Sequence, residues 1–238
     1  MSNATILYYT CNTHRPDIEM ACRRQLTSAR NGHALISISL QPIDFGDANI
    51  VLPLKRSPES MHKQVMAGLE QATSDYVFLC ESDVLYHQSH FAFTPPRDDA
   101  YYYNINVWRM RYPDGLAVRT DFCQQVSGLC ASRELLLEHY HKRLERIERE
   151  GRFYQRWGYE PGVHKPPRGI DDFKAESWVS EHPNVDIRHD KTLTLSRWTP
   201  DGFRNPRYAK GWREAYEIPG WGATTDILRE IDSGDASL

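Results

Sequence analysis

Apolar and polar positions along the chain follow two periods. Thr5 to Thr10, Ala34 to Leu40 and Tyr76 to Cys80 are continuous apolar or β-branched runs, and they predict strands covered on both faces. Three other stretches repeat their apolar residues at helical spacing. They are Asp17 to Ala29 (Ile18, Ala21, Cys22, Leu26), Pro58 to Ala72 (Met61, Val65, Leu69, Ala72) and Arg133 to about Gly151 (Leu136, Tyr140, Leu144, Ile147). Ser57 predicts an N-cap with Pro58 at the first helical position and Glu59 in the first turn, and Ser132 predicts a second cap. Ala67-Gly68 allows close packing on a sheet. Ala100 to Met110 predicts one strand with Asn104, Asn106 and Trp108 on a single face, followed by a turn at Arg111 to Gly115 and a strand from Leu116 to Arg119. A short strand is expected at Ile50 to Leu52, and a final strand from Asn184 ends at His189. Helices alternating with buried strands define an α/β fold with a mostly parallel central sheet.

The remaining segments are irregular. Phe153 to Gly169 is rich in Gly, Pro and aromatics, and unstructured loops of this length are often lids or binding loops. A short helix is expected from Asp171 through Trp178. Residues 1–191 form the expected catalytic domain, and 192–238 a C-terminal extension packed on it. Tyr208, Trp212, Tyr216 and Trp221 predict packing on the catalytic face or an acceptor groove, and the acidic end from Asp226 is expected to fray.

Composition narrows the classes. A chain of 238 residues, 40% hydrophobic, supports a core of ordinary size. A net charge of −3 gives no general attraction to nucleic acid or anionic membranes, so nucleic acid is not an expected partner. The five cysteines, Cys11, Cys22, Cys80, Cys123 and Cys130, are odd in number and contain no CxxC pair. That pattern predicts reduced thiols and a cytoplasmic protein. No secretory signal and no run long enough for a membrane span is read in the sequence. His87 and His90 are read as polar surface or capping residues.

The chemistry concentrates after the apolar run Tyr76 to Cys80, which ends in Glu81-Ser82-Asp83. Ligands of open α/β sheets bind beyond the carboxyl ends of the strands. Two carboxylates one residue apart can reach one hard cation there, and Mg²⁺ or Mn²⁺ held this way completes its shell with phosphate oxygens. The other reading is an acidic strand end facing water. The helix from Ser57, the pattern Gly68-Leu69-x-x-Ala72-x-x-Asp75-Tyr76, the apolar strand and the acidic pair together resemble the GT-A glycosyltransferases, especially the family-2 type, over roughly Ser57 to His90. Glu81 stands where that family's acidic motif has Asp.

The resemblance implies a Rossmann-like GT-A fold and a divalent metal, Mn²⁺ or Mg²⁺, gripping the diphosphate of a nucleotide-sugar donor, with a UDP-sugar as the first expectation. It implies that Glu81 and Asp83 are metal ligands and that His189, after the last core strand, is a third. It places Thr10, Asn12 and Arg15 of the first loop at the donor, against the alternative of ordinary loop capping. Ser82 joins the donor contacts, as do Ser127-Gly128, where the alternative is a bulge glycine. Lys63 is a candidate for the diphosphate or else part of a solvated helix face. An inverting mechanism requires a base, for which Asp172 is the best match, with Asp171 and Glu176 as competitors. The acceptor is a glycan or another hydroxyl compound. Two other readings stand beside this one. A nucleotidyltransferase-like enzyme would use the same acids but should carry glycine in the first loop, and Cys11 to Asp17 has none. A catalytically inactive nucleotide- or glycan-binding module is the third.

Overall fold

The computed structural model describes residues 4–171, 174–192, 196–202 and 210–233. Strand β1 (Ala4–Thr10) leads into helix α1 (Pro16–Ala29), strands β2 (Ala34–Ser39) and β3 (Ala48–Val51), and helix α2 (Pro58–Gln71). Strand β4 (Tyr76–Glu81) is followed by β5 (Val84–Leu85), β6 (Tyr101–Asn104), β7 (Val107–Arg111), β8 (Ala117–Arg119) and β9 (Leu129–Ser132). Helix α3 (Arg133–Glu150), β10 (Ala175–Trp178), β11 (Asn184–Arg188), β12 (Arg213–Ala215), β13 (Glu217–Ile218), β14 (Gly222–Ala223) and helix α4 (Thr224–Ser233) complete the order.

The strands build a seven-stranded mixed sheet in the order β10-β6-β9-β4-β1-β2-β3 and a five-stranded sheet in the order β12-β8-β7-β11-β5. β4 is central in the first, parallel to β1 and antiparallel to β9. Its residues Val77 to Cys80 are fully buried, as a strand covered on both faces must be. On one face Leu7, Val77 and Leu79 meet Val65 and Leu69 of α2 and Leu136 and Tyr140 of α3. On the other, Ile6, Tyr8, Phe78 and Cys80 meet Leu26 of α1. A third cluster joins Ile18 and Cys22 of α1 to Met110, Val185 and Ile187 of the second sheet and to Ile227 and Ile231 of α4. The architecture is therefore α/β, a large mixed sheet flanked by helices. Among the described residues no helix is long and apolar enough to cross a membrane.

Local chemistry explains the start of α2. The Ser57 hydroxyl accepts the Ser60 N–H at 3.0 Å and caps α2. Gly68 sits where an added Cβ would come within 2.8 Å of Ile38 Cδ1, so the helix lies close on the sheet. Ser132 is the N-cap residue of α3, but its side chain makes no cap hydrogen bond.

Several expectations fail for identifiable reasons. The apolar stretch Ala100 to Met110 is two strands in different sheets. It breaks at Asn104-Ile105-Asn106, where Asn104 Oδ1 accepts the N–H groups of Asn106 and Ser180 and so replaces ladder partners. In the segment expected to be a helix through Trp178, Ala175–Trp178 is instead the edge strand β10, paired parallel to β6. The acidic C-terminal segment does not fray up to Ser233, because Ile227 and Ile231 anchor α4 in the core. β12 pairs with β8, so the extension supplies a strand to the second sheet. His90 is buried rather than a surface residue, its Nδ1 accepting from the Asn104 amide at 3.0 Å.

Two buried histidines give a pH dependence. Burial pushes both His62 and His90 down to about 3. In the unfolded chain they titrate near ~6.5, so protons bind the unfolded state first. Their contribution to stability is complete above the unfolded value and is lost as pH falls toward the folded one. Each adds a slope of about 1.4 kcal/mol per pH unit inside that window. Urea unfolding at pH 6 and pH 4 should therefore show a shallower pH slope for His62→Leu than for the parent, by about that amount; equal slopes would remove His62 as a source.

Candidate active site

β1 and β4 run in parallel with Tyr9 opposite Glu81, so both strands deliver their following loops to one edge. A cavity of about 380 Å³ opens at that edge, lined among others by Tyr9, His14, Glu81, Asp83, Asp186 and Arg188. It also marks the junction of the sheets. β4 belongs to the first and β5 to the second, and the Ile187 N–H of β11 donates to the Asp83 carbonyl at 2.8 Å. Tyr86 ties down the turn: its hydroxyl accepts the Glu81 N–H at 2.9 Å and donates to the Ser127 carbonyl at 3.0 Å.

Asp83, His14 and His189 each bring one ligand atom to within 4.8 Å of the others. The His189 Nε2 is buried without a hydrogen-bond partner and lies 3.8 Å from Asp83 Oδ2. His14 Nδ1 lies 2.9 Å from Ser82 Oγ, which helps to fix the ring. Glu81 is not one of the three. It accepts the Tyr9 hydroxyl at 3.1 Å.

The electrostatics show a surplus of negative charge. Burial, then Asp83 and Asp186, push the Glu81 carboxyl up to about 8. Burial and Asp186 likewise raise Asp83. Arg188 is the nearby cation. It pairs with Asp186, which also accepts from the Gln125 amide at 3.2 Å. Burial opposes charge on His14, but its hydrogen bond to Cys11 and the Asp83 carboxylate carry its pKa above the usual histidine value. Burial and then His14 push His189 down to about 4, so it is a neutral imidazole at pH 7. Half-buried carboxylates with raised pKa values beside a neutral, unpartnered imidazole have the donor set of a cation site. Two imidazoles and one carboxylate suit a first-row transition ion better than Mg²⁺.

The other residues singled out from the sequence take different places. Thr10 lines the cavity, and its hydroxyl donates to Glu19 at 2.8 Å. Asn12, at φ 56°, uses its carbonyl oxygen to accept the N–H groups of Leu40 and Gln41, so its side chain closes the loop. Arg15 pairs with Asp17 and stacks on Tyr112 at 4.5 Å. Lys63 is exposed, pairs with Glu59 at 2.7 Å and borders a separate hollow between α2 and α3. Ser127 is buried beneath the cavity and accepts from Gln125 at 2.7 Å. Asp171 is held by His139 and by the Tyr101 hydroxyl at 3.3 Å, and is not among the residues lining the cavity. Glu176 lies exposed in β10, and Asp172 lies outside the described residues.

His14, Asp186, Arg188 and Glu160 are cavity residues that sequence reasoning passed over. Two signals were present. His14 is the one imidazole in the loop at the carboxyl end of β1, the edge where ligands bind. Asp186 and Arg188 interrupt a strand otherwise built for burial, and buried charges need a reason.

No protein-family model matches the chain, and no curated protein matches it by sequence. Among solved structures it is similar to a glycosyltransferase involved in glycosylation of the major capsid of PBCV-1, with 11% identity and a TM-score of 0.42 over 77% of this chain and 92% of that one. It is also similar to a Drosophila β1,4-galactosyltransferase 7 mutant in complex with manganese, UDP-Gal and xylobiose, with 15% identity and a TM-score of 0.38 over 63% of each chain. S. aureus TarS 1–349 gives 9% identity and a TM-score of 0.44 over 78% of this chain and 60% of that one. The chain thus spans under two thirds of the length of the latter two.

Gly128 has a structural requirement of its own. A Cβ there would lie 2.8 Å from the backbone oxygen of Asn104 on β6, an atom that a rotamer change cannot move. Gly128→Ala should destabilise the protein by about 1–3 kcal/mol, read as a lower urea midpoint. An unchanged midpoint with weaker nucleotide-sugar binding would instead assign the glycine to a ligand.

Proposed function

We propose that the protein is a metal-dependent glycosyltransferase that moves a sugar from a nucleotide-diphosphate sugar to a hydroxyl acceptor. One observation carries the reading: His14, Asp83 and the unpartnered His189 Nε2 converge at the carboxyl edge of the central sheet, and His14 and Asp83 line a cavity of ligand-binding size there. These three residues would hold the cation, and the donor set favours Mn²⁺ among the metals expected. A divalent cation bound there supplies positive charge to the departing diphosphate.

The chain's own residues do the rest. Ser82 orients the His14 ring. Arg56 and Arg197, exposed along the cavity, offer guanidinium groups to phosphate oxygens. Arg188 balances part of the carboxylate charge, so the donor's phosphates meet less repulsion. A UDP-sugar remains the first donor to test, and a glycan or other hydroxyl compound the acceptor. Inversion at the anomeric carbon is the expected outcome, with a carboxylate as base.

Calorimetric titration with Mn²⁺ alone checks the centre of this reading. His14→Ala and Asp83→Asn should each weaken binding at least as much as the roughly 10–100-fold that losing an outer-shell partner costs at metal sites. Hydrolysis of UDP-glucose, UDP-galactose or UDP-N-acetylglucosamine should require the metal and stop with a chelator. Parent-like Mn²⁺ binding by both variants would sink the assignment. Binding of a nucleotide sugar without metal-dependent turnover would leave a binding module.

A further inference from the structure

We infer that Glu160 is the catalytic base that takes the proton of the acceptor hydroxyl, an inference that rests on the glycosyl-transfer reading above. Four described carboxylates line the cavity: Glu81, Asp83, Glu160 and Asp186. Three have side-chain partners or a metal-binding place. Glu81 accepts from the Tyr9 hydroxyl. Asp83 belongs with His14 and His189. Asp186 is bound by Arg188 and Gln125. Glu160 accepts the neighbouring Tyr159 N–H at 3.1 Å and, among the described residues, no side-chain hydrogen bond. It is half-buried in the cavity wall. A carboxylate in that state has lone pairs to receive a proton.

Its surroundings are built to keep it there. The Trp157–Gly162 turn bends through Gly158 at φ 73° and Gly162 at φ 71°. An added Cβ at Gly162 would strike the Tyr101 ring at 2.5 Å, and one at Gly158 the His164 ring at 2.4 Å, so the turn is packed on both sides of Glu160. The Tyr103 hydroxyl donates to the Pro161 carbonyl at 2.6 Å. Arg146 of α3 stacks over Trp157 at 4.0 Å and donates to the carbonyls of Pro167, Arg168 and Gly169. Asp171 closes the loop onto His139. A surface loop has little need of so many fastenings, whereas a base has to be fixed to within a fraction of an ångström. Burial also raises the Glu160 pKa, which strengthens its pull on a proton while ionised.

In the step itself the acceptor oxygen forms its bond to the anomeric carbon as the bond from that carbon to the diphosphate oxygen breaks. The nucleoside diphosphate leaves with the electron pair of the broken bond. The acceptor's proton passes to the Glu160 carboxylate.

The test uses the nucleotide sugar that the parent protein hydrolyses with Mn²⁺, chosen from UDP-glucose, UDP-galactose, UDP-N-acetylglucosamine and GDP-mannose. Glu160→Gln and Glu160→Ala should bind that donor as the parent does by calorimetry and turn it over about 10²–10⁴-fold more slowly. Sodium azide, a nucleophile with no proton to lose, should restore turnover of Glu160→Ala with a glycosyl azide of inverted configuration, and should not speed the parent. The inference is overturned if Glu160→Gln turns over normally, if azide rescues Asp172→Asn instead, or if Glu160→Ala binds donor normally and azide restores nothing. If the parent neither binds nor hydrolyses any of the four donors, the glycosyl-transfer reading falls first and takes the base with it.

Discussion

An ionised carboxylate taken out of water loses hydration worth several kcal/mol, and it keeps its charge only where cations or hydrogen bonds replace that hydration. At the end of β4 the chain places Glu81 and Asp83 half-buried, and β11 adds Asp186 beside them. Arg188 offsets one charge. The raised carboxyl groups of Glu81 and Asp83 are the remainder of that imbalance. Much of the nearby architecture responds to it. Tyr9 hydrogen-bonds to Glu81, Gln125 donates to Asp186, and His14 gains protonation through Asp83.

The imbalance sits where the chain changes sheets. A strand that leaves one ladder for another strands its backbone groups, and buried backbone groups have to be paired. At the Glu81-to-Val84 crossing the Tyr86 hydroxyl and the Ile187 N–H supply those partners. At the second crossing, Asn104 to Asn106, side-chain amides do the same, with Asn106 Nδ2 donating to the Ser180 carbonyl at 2.8 Å. The two crossings hold the sheets edge to edge and leave the cavity between the carboxyl ends of β1 and β4 and the strand β11. Polar residues that the sequence places on strands are thus joints here, not binding groups.

The central strand, its two preceding helices and the acidic turn were legible because each rests on short-range physics: apolar runs, helical spacing, a serine cap and a proline at N1. Asp83 and His189 could be singled out as candidates because each follows the end of a strand, and strand ends are where ligands collect. His14 was not, since its partners lie far away in sequence and only the β1–β4 register brings them together. The Ala100 to Met110 run failed because periodicity does not record which sheet a residue joins. Asp171 was assigned by its neighbour in sequence, and the structure spends its carboxylate on His139. The described part of the C-terminal extension has no strong periodic signal before α4, because its short strands are fixed by pairing with β8 and by the β13–β14 hairpin.

Helix α3 shows how a face that reads as solvated carries structural weight. Its outward charges, such as Lys142 with Glu138, are ordinary exposed pairs worth little. One turn away, His139, Arg143 and Arg146 point the other way. Arg143 is 1% exposed, and two of its guanidinium nitrogens have no hydrogen-bond partner. Burying such a group is costly, and Glu160 partly offsets it through space, since Arg143 in turn lowers the Glu160 pKa against the rise that burial causes. The guanidinium and the carboxylate therefore hold each other in balance. Burial pushes the Glu160 carboxyl up, and Arg143 draws it back down. The same helix that fastens the loop through Arg146 also tunes the one cavity carboxylate that the loop presents.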